Sequence, residues 1–330
     1  MNVLKRLENN VPLMVMLVGL PGSGKSTTAK SIRISSDGEL HKPVIHSSDG
    51  LRKELFGDEA TQGDNNKLFS ILHGRIKADL ISCKDIIYDA TNIKKRFRMQ
   101  FLNELKSISC TPICLCVMTS YETCLKNNEK RERKVPVEVI RRMQMNWQPP
   151  HYSEGFKEIK YIFSNLDDEY ADKFTIRSFF ETANAFDQEN SHHKLSLGEH
   201  CAKSAKFIQE HRPGNFPLLI AAMLHDIGKL YTKTRINARG IDDGDCHYYQ
   251  HHCVGAYNIS FYLHCTNYLR CTNYFTEEDF TYISNLIYYH MHPYCQWKQS
   301  EKVLNKDKKL LGAKLFNDIL WLHDADVYAH

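Results

Sequence analysis

Two groups of residues in this chain carry chemistry that packing alone does not call for. The first is Gly19-Leu20-Pro21-Gly22-Ser23-Gly24-Lys25-Ser26-Thr27, which satisfies G-x-x-x-x-G-K-[ST] directly after the apolar run Leu13–Val18. Glycines let backbone N–H groups turn inward around phosphate oxygens, and a helix starting near Lys25 adds its positive end. Gly22, Ser23, Gly24 and Thr27 would frame the phosphates of ATP or another nucleoside triphosphate. Lys25 would reach the β/γ-phosphates and Ser26 would ligate Mg²⁺. The second group is His225-Asp226 in Ala221-Ala222-Met223-Leu224-His225-Asp226-Ile227-Gly228-Lys229. An unpaired carboxylate on a buried helix costs several kcal/mol, and metal ligation explains both residues at once. Further His stations lie at His200, at His251-His252, at His290 with His292, and at His323-Asp324-Ala325-Asp326. One such histidine is ordinarily structural; five stations on successive helices are not.

Around the phosphate cradle stand three further candidates. Ser47-Ser48-Asp49-Gly50-Leu51-Arg52 ends an expected parallel strand, where a carboxylate faces the ligand crevice. Asp49 there can accept a proton from an attacking hydroxyl and Arg52 can hold a phosphate beside it, or Asp49 can simply cap the next helix. Asp89, in Asp89-Ala90-Thr91-Asn92, ends another strand and is the candidate for Mg²⁺ or its waters, with a turn or cap role as its alternative. Asn128-Glu129-Lys130-Arg131-Glu132-Arg133-Lys134-Val135-Pro136 is either a solvated charged face or a mobile lid that brings arginines to a transferring phosphoryl group.

These residues need elements to position them. Apolar runs at 13–18, 44–48, 85–91 and 111–119, with a last one at 158–163, read as strands; 64–82 and 94–107 have helical spacing between them. Strand alternating with helix predicts an α/β domain with a parallel sheet and flanking helices. Later segments (197–210, 216–230, 250–263, 277–290) carry a helical period, which predicts an all-α second domain. The boundary is expected near residue 180, giving domains of 1–180 and 181–330, and 231–246, rich in Gly, Asp and Asn, reads as a surface loop.

The 330 residues allow roughly two domains, and 42% apolar with 25% charged residues excludes a disordered, collagenous or low-complexity chain. Residues 1–165 hold 26 Lys and Arg against 18 Asp and Glu, whereas 166–330 hold 17 against 21, and 13 of the 17 His follow residue 190. A basic half suits a polyanionic partner and an acidic, His-rich half suits metal ions. The 11 cysteines form no C-x-x-C pair and read as free thiols in a reducing, cytoplasmic setting. No run is long enough to span a membrane.

The set GLPGSGKST, SSDGLR, DATN and KRERKVP, in this order, resembles the 5′-hydroxyl kinase module of phage-type polynucleotide kinases over roughly residues 11–165. The resemblance implies Asp49 as general base on a 5′-OH, Arg52 on the acceptor's adjacent phosphate, Lys25 and Ser26 at the donor phosphates, and Arg131, with Arg133, as lid arginines. From about residue 190 onward the chain resembles the HD phosphohydrolase superfamily. That resemblance implies His200, His225, Asp226 and Asp326 as core metal ligands, with His251 and His290 serving a second metal or the substrate phosphate. The ADVYAH context favours Asp326 over Asp324; His252 and His292 stand beside stronger candidates, and Lys229 and His193 are phosphate-contact candidates. Mixed His/carboxylate ligation suits one or two ions of Mn, Fe, Ni, Co or Zn.

Kinase–HD fusions that heal nucleic-acid ends form a family the whole chain resembles, although there the HD module precedes the kinase and here it follows. The implied function is ATP-dependent 5′-OH phosphorylation of RNA or DNA ends, with metal-dependent removal of a 2′,3′-cyclic phosphate or 2′/3′-phosphate. A nucleic-acid ligase would act downstream. The alternative is a small-molecule kinase fused to a nucleotidase or dNTP phosphohydrolase; a third reading is a nucleic-acid-binding regulator with vestigial sites.

Overall fold

A computed structural model describes residues 3–8, 10–57, 63–164, 168–190, 194–269 and 274–330. The chain divides into two compact units, Met1–Met143 with Pro150–Ser164, and Gln144–Pro149 with Asn165–His330. Unit 1 runs β1 (Val3–Lys5), β2 (Leu13–Val18), α1 (Lys25–Ser31), β3 (Arg33–Ser36), β4 (Glu39–His41), β5 (Val44–Ser47), α2 (Ser48–Phe56), α3 (Asn65–Ile81), β6 (Ile86–Asp89), α4 (Lys95–Glu104), β7 (Thr111–Met118), α5 (Tyr121–Glu129), α6 (Val137–Gln144) and β8 (Glu158–Phe163).

Its main sheet has the order β5-β6-β2-β7-β8 and is parallel throughout. Every residue of β2 and β6 is buried, which is why these strands read as unbroken apolar runs. The chain leaves β2 toward β5 and β6 on one side and later passes to β7 and β8 on the other. That reversal opens a crevice at the carboxyl edge beside β2. Register puts Ser47 opposite Asp89 and Val18 opposite Cys116, so the residues that follow β2, β5 and β6 emerge along one edge. Beneath it, Leu13, Val15, Leu17, Ala29, Ile87, Ile113 and Leu115 form the core.

A small side sheet of β1, β3 and β4, not foreseen in the sequence, turns at Asp37-Gly38, both at positive φ (52° and 85°). A fully buried ion pair joins α4 to the segment before β8: Arg98 Nε and Nη2 each donate to Glu154 at 2.7 Å.

Unit 2 is helical: α7 (Asp168–Lys173), α8 (Ile176–Ala183), α9 (Leu197–His211), α10 (Phe216–Leu224), α11 (Lys229–Thr232), then β9 (Thr234–Ile236) and β10 (Asp242–His247), followed by α12 (His251–Leu269), α13 (Glu277–Tyr289) and α14 (Glu301–Ala329). It departs from expectation in three ways. The 231–246 segment contains an antiparallel hairpin rather than a plain loop, so the unit is not all-α; Asn237 braces the turn by accepting from the N–H groups of Arg239 and Ile241. The helix expected over 216–230 breaks at 225–228.

The third departure is the division itself, which falls at Ser164/Asn165 and not near 180. Phe174 packs on Phe261 and Tyr262 at 5.4 and 5.3 Å, and Phe179 is buried, so α7 and α8 belong to the helical core. Gln144–Pro149 joins the same core: Trp147 meets Tyr257 edge-on and Gln148 donates to the Tyr288 hydroxyl. In α14, Gly312 (φ 75°, ψ 165°) interrupts the helix.

Within the break at 225–228, Gly228 lies tight against α12. A Cβ on Gly228 would meet the carbonyl of His251 and the backbone nitrogen of Gly255, both in α12. Main chain therefore lies against main chain here. No helix among the described residues is long and apolar enough to cross a membrane.

Two substitutions test these contacts. Arg98→Ala leaves the Glu154 carboxylate buried without its partner and is expected to cost about 3–5 kcal/mol; an unshifted urea midpoint by far-UV circular dichroism would show the pair to be neutral. Gly228→Ala is expected to destabilise unit 2 by more than about 2 kcal/mol through overpacking. Trp147, Trp297 and Trp321 all lie in unit 2, so tryptophan fluorescence reads that transition.

Candidate functional site

In unit 1 the cradle is built by the loop between β2 and α1. Gly22 (φ 81°) and Gly24 (φ 89°) take left-handed conformations that side chains rarely adopt, and a Cβ on Gly22 would meet the Cys124 carbonyl. Gly24 caps α1 without any side-chain hydrogen bond. Lys25 Nζ donates to the Leu20 carbonyl at 2.7 Å inside the loop; burial lowers its pKa, opposed chiefly by Asp89. Ser26 Oγ donates to Asp89 Oδ2 at 2.7 Å, and burial raises the Asp89 carboxyl while Ser26 and Lys25 oppose it. Ser23 is buried and Thr27 is exposed on the first turn.

The cap reading of Asp49 does not hold, because Ser47 occupies that position and accepts from Gly50 N–H. The Asp49 carboxylate is instead ringed by guanidinium groups: Arg133 at 2.8 Å, Arg52 at 3.3 Å and Arg131 at 3.6 Å. The charged stretch alternates, with Arg131 and Arg133 turned inward and Lys130, Glu132 and Lys134 exposed. Buried Asn128 closes its base by bonding Val135 through both amide atoms, at 2.8 and 2.9 Å. Neighbouring Asn127 donates to the Gly22 carbonyl, and Asn92 donates to the Leu17 carbonyl. The roles of Asn127 and Asn92 went unnoticed in the sequence, since each acts on backbone distant along the chain.

In unit 2 six donors from five stretches of chain converge. His200 lies on α9, His225 and Asp226 in the turn after α10, His251 at the start of α12, His290 just after α13 and Asp326 on α14. Ligand atoms of His200, His225, Asp226 and Asp326 lie within 4.8 Å of one another, and so do those of Asp226, His251 and His290. Asp226 is common to both groups, one oxygen to each. Its Oδ2 faces His225 and His200 at 3.5 and 3.6 Å; its Oδ1 faces His251 and His290 at 3.2 and 3.7 Å.

The ring orientations bear on what the cluster can hold. His225, His251 and His290 donate through Nδ1 to the carbonyls of Ala222, Tyr248 and Ile287, at 3.0, 2.8 and 2.6 Å. In a neutral ring so bonded, Nε2 carries a bare lone pair. His251 Nε2 and His290 Nε2 nevertheless face each other at 3.2 Å, and burial pushes the His290 pKa down. Two facing lone pairs beside a carboxylate fit a cation between them, and inward Nε2 with backbone-bonded Nδ1 is the arrangement ligating histidines adopt. The donor set therefore can hold one or two divalent ions.

Burial disfavours ionisation of Asp226, yet the Lys229 ammonium and the surrounding histidines outweigh it and hold the carboxyl well below its usual range. Lys229 does not reach outward as a phosphate contact: it is buried on Asp226 Oδ2 at 2.7 Å and on Gln188 at 2.8 Å. His252 and His292 stand outside both groups. Burial and its histidine neighbours lower His252 to about 2, and His292 contacts Asp307, which also accepts from Trp297. Asp324 is exposed on α14, and His193 lies outside the described residues.

Residues 14–150 match the family model described as an AAA domain. The protein kti12 of Schizosaccharomyces pombe is 24% identical over 147 residues, covering 42% of this chain and 52% of its own. The L-seryl-tRNA(Sec) kinase of Methanococcus maripaludis is 27% identical over 144 residues, covering 42% and 53%. The chain thus spans about half the length of these relatives. Among solved structures, one of a Pnkp1/Rnl/Hen1 RNA repair complex matches with a TM-score of 0.35 at 19% identity, over 43% of this chain and 45% of that one. Family match, glycine cradle and parallel sheet agree: unit 1 contains a P-loop, kinase-type α/β domain.

Proposed function

We propose that this chain heals nucleic-acid ends, phosphorylating a 5′-OH in unit 1 and clearing a 2′,3′-cyclic phosphate or 2′/3′-phosphate in unit 2. The observation that carries the reading is the six-donor cluster around Asp226, in a chain whose other unit is of kinase type. In unit 1, Asp49 takes the proton of the acceptor hydroxyl as its oxygen attacks the γ-phosphorus of ATP and the bond to the β,γ-bridging oxygen breaks, releasing ADP, while Arg52 holds the acceptor's neighbouring phosphate. Lys25, Arg131 and Arg133 carry the charge that builds on the transferring group. For this the guanidinium groups now on Asp49 must pass to phosphate oxygens. Ser26 and Asp89 are placed to hold Mg²⁺ and its waters.

Unit 2 reads as an HD-type phosphohydrolase. His200, His225, Asp226 and Asp326 would hold one divalent transition metal, and Asp226, His251 and His290 a second. Such an ion supplies Lewis-acid chemistry at a phosphoester. Lys229 and Gln188 orient the shared carboxylate, and the backbone carbonyls behind three of the histidines fix their tautomers.

A second reading keeps the kinase but changes the acceptor. The match to a kinase named for seryl-tRNA favours a hydroxyl carried on a folded tRNA over a strand end. γ-Labelled ATP offered with 5′-OH oligonucleotide, intact tRNA and free nucleosides in competition separates these. Label on the 5′ end supports end healing, label elsewhere on tRNA supports the second reading, and label on nucleosides alone returns unit 1 to small-molecule kinases.

Lys25→Ala and Asp49→Asn are expected to abolish 5′ phosphorylation, the latter by about 10²–10⁴-fold as a general base, and to leave phosphoester hydrolysis intact. An unchanged rate removes Asp49 from that role. Asp226→Asn is expected to lose bound Mn²⁺ or Co²⁺ by elemental analysis and all hydrolysis of 3′-phosphate RNA, with the kinase spared. His290→Ala is expected to lose one ion while the His200 group keeps its own; a protein that binds no metal at all would sink the HD reading.

A further inference from the structure

We propose that a groove of about 470 Å³ beside the six-donor cluster receives the base and ribose of the nucleotide whose phosphate reaches that cluster. This rests on the phosphoesterase reading of unit 2. The groove lies between the one-turn π-helix Pro293–Trp297 and the C-terminal part of α14, and its walls include Tyr294, Trp297, Lys298, Leu304, Leu320 and His323. Single π turns inside helical proteins are rare and tend to lie at functional sites.

Both walls run directly into the cluster. Pro293 is the third residue after His290, and His323 stands three residues before Asp326 on α14, on the same helical face. Tyr294 bridges the two walls, its ring edge-on to His323 with centroids 4.3 Å apart. Its hydroxyl is hydrogen-bonded to the Asp326 carboxylate, and burial together with that carboxylate disfavours its ionisation.

The chemistry of the walls selects the occupant. His323 Nδ1 is buried with no hydrogen-bond partner among the described residues, and the buried Tyr294 hydroxyl stands beside it on the Asp326 carboxylate. Buried polar atoms of that kind favour a ligand that pairs with them. Both sit against aromatic and aliphatic surface, and Leu320 and Val327 leave 37% and 52% of their surface open. Flat apolar walls with a few donor and acceptor atoms suit a nucleobase, which stacks by its faces and bonds by its edge. Lys298, exposed at the rim, is placed for the next phosphate of a strand. A bare phosphate ester would leave the groove unused.

Leu304→Phe narrows the groove without touching a polar atom, and Tyr294→Phe removes only the hydroxyl. With Mn²⁺-loaded protein, kcat/KM is measured for uridine 3′-monophosphate and for glycerol 2-phosphate, which has no base. The expected result is a fall of roughly 10-fold or more in the nucleotide-to-glycerol ratio for Leu304→Phe, and a smaller fall for Tyr294→Phe, with circular dichroism unchanged. An unchanged ratio overturns the proposal.

If the wild type hydrolyses neither ester with any divalent metal, the phosphoesterase reading fails separately. The groove is then read by titrating uridine 3′-monophosphate against tryptophan fluorescence. Saturable quenching lost in both Trp297→Phe and Leu304→Phe supports it, and absence of quenching overturns it.

Discussion

A carboxylate stripped of water organises unit 2. Asp226 is 3% exposed, and an ionised group so placed is tolerated only if opposite charge and hydrogen bonds replace its hydration. Lys229 supplies the nearest countercharge and four histidines crowd the two oxygens. Bringing them there requires five stretches of chain to end or bend at one point. Three of the histidines solve the positioning locally in the same manner, each donating Nδ1 to the carbonyl three residues before it. The turn of backbone that carries each ring therefore also aims it.

Unit 1 treats its carboxylate oppositely. Asp49 keeps contact with solvent and is balanced by partly exposed guanidinium groups rather than by buried imidazoles. The difference matches the chemistry proposed for each: a base that takes up a proton in each turnover needs partners that leave, whereas a carboxylate shared between ions needs partners that stay. What both units share is a rigid frame. The parallel sheet fixes the edge from which the cradle, Asp49 and Asp89 emerge, and the helical core fixes the six donors.

Much of this was legible because the informative residues are contiguous or end an element. The strand expected at 158–163 spans Glu158–Phe163, and the glycine loop lies between strand and helix as its sequence requires. The six donors were expected through the resemblance to the HD superfamily, each standing in a short, distinctive string, and their ligand atoms do converge. What escaped notice depends on partners far along the chain. Gln188 accepts from Lys229, and Asn127 reaches back to the Gly22 carbonyl. The Asp37-Gly38 turn was overlooked although the dipeptide is a hairpin signal, because the strands beside it are only three and four residues long. The long C-terminal helix lost its period at Gly312, and the segment Gln144–Pro149 gives no local sign that its tryptophan belongs to the other core.

Gly228 sets the distance scale of the cluster. Because it touches α12 backbone to backbone, the separation between the turn bearing His225-Asp226 and the helix bearing His251 is not adjustable by side-chain rotation. Flexible sites follow an ion by swinging their ligands, and so accept a range of radii. A site whose two halves are already in van der Waals contact has no such travel. Any discrimination by ionic size at the proposed metal centre would then be a property of its main chain, inherited from the absence of a single methyl group.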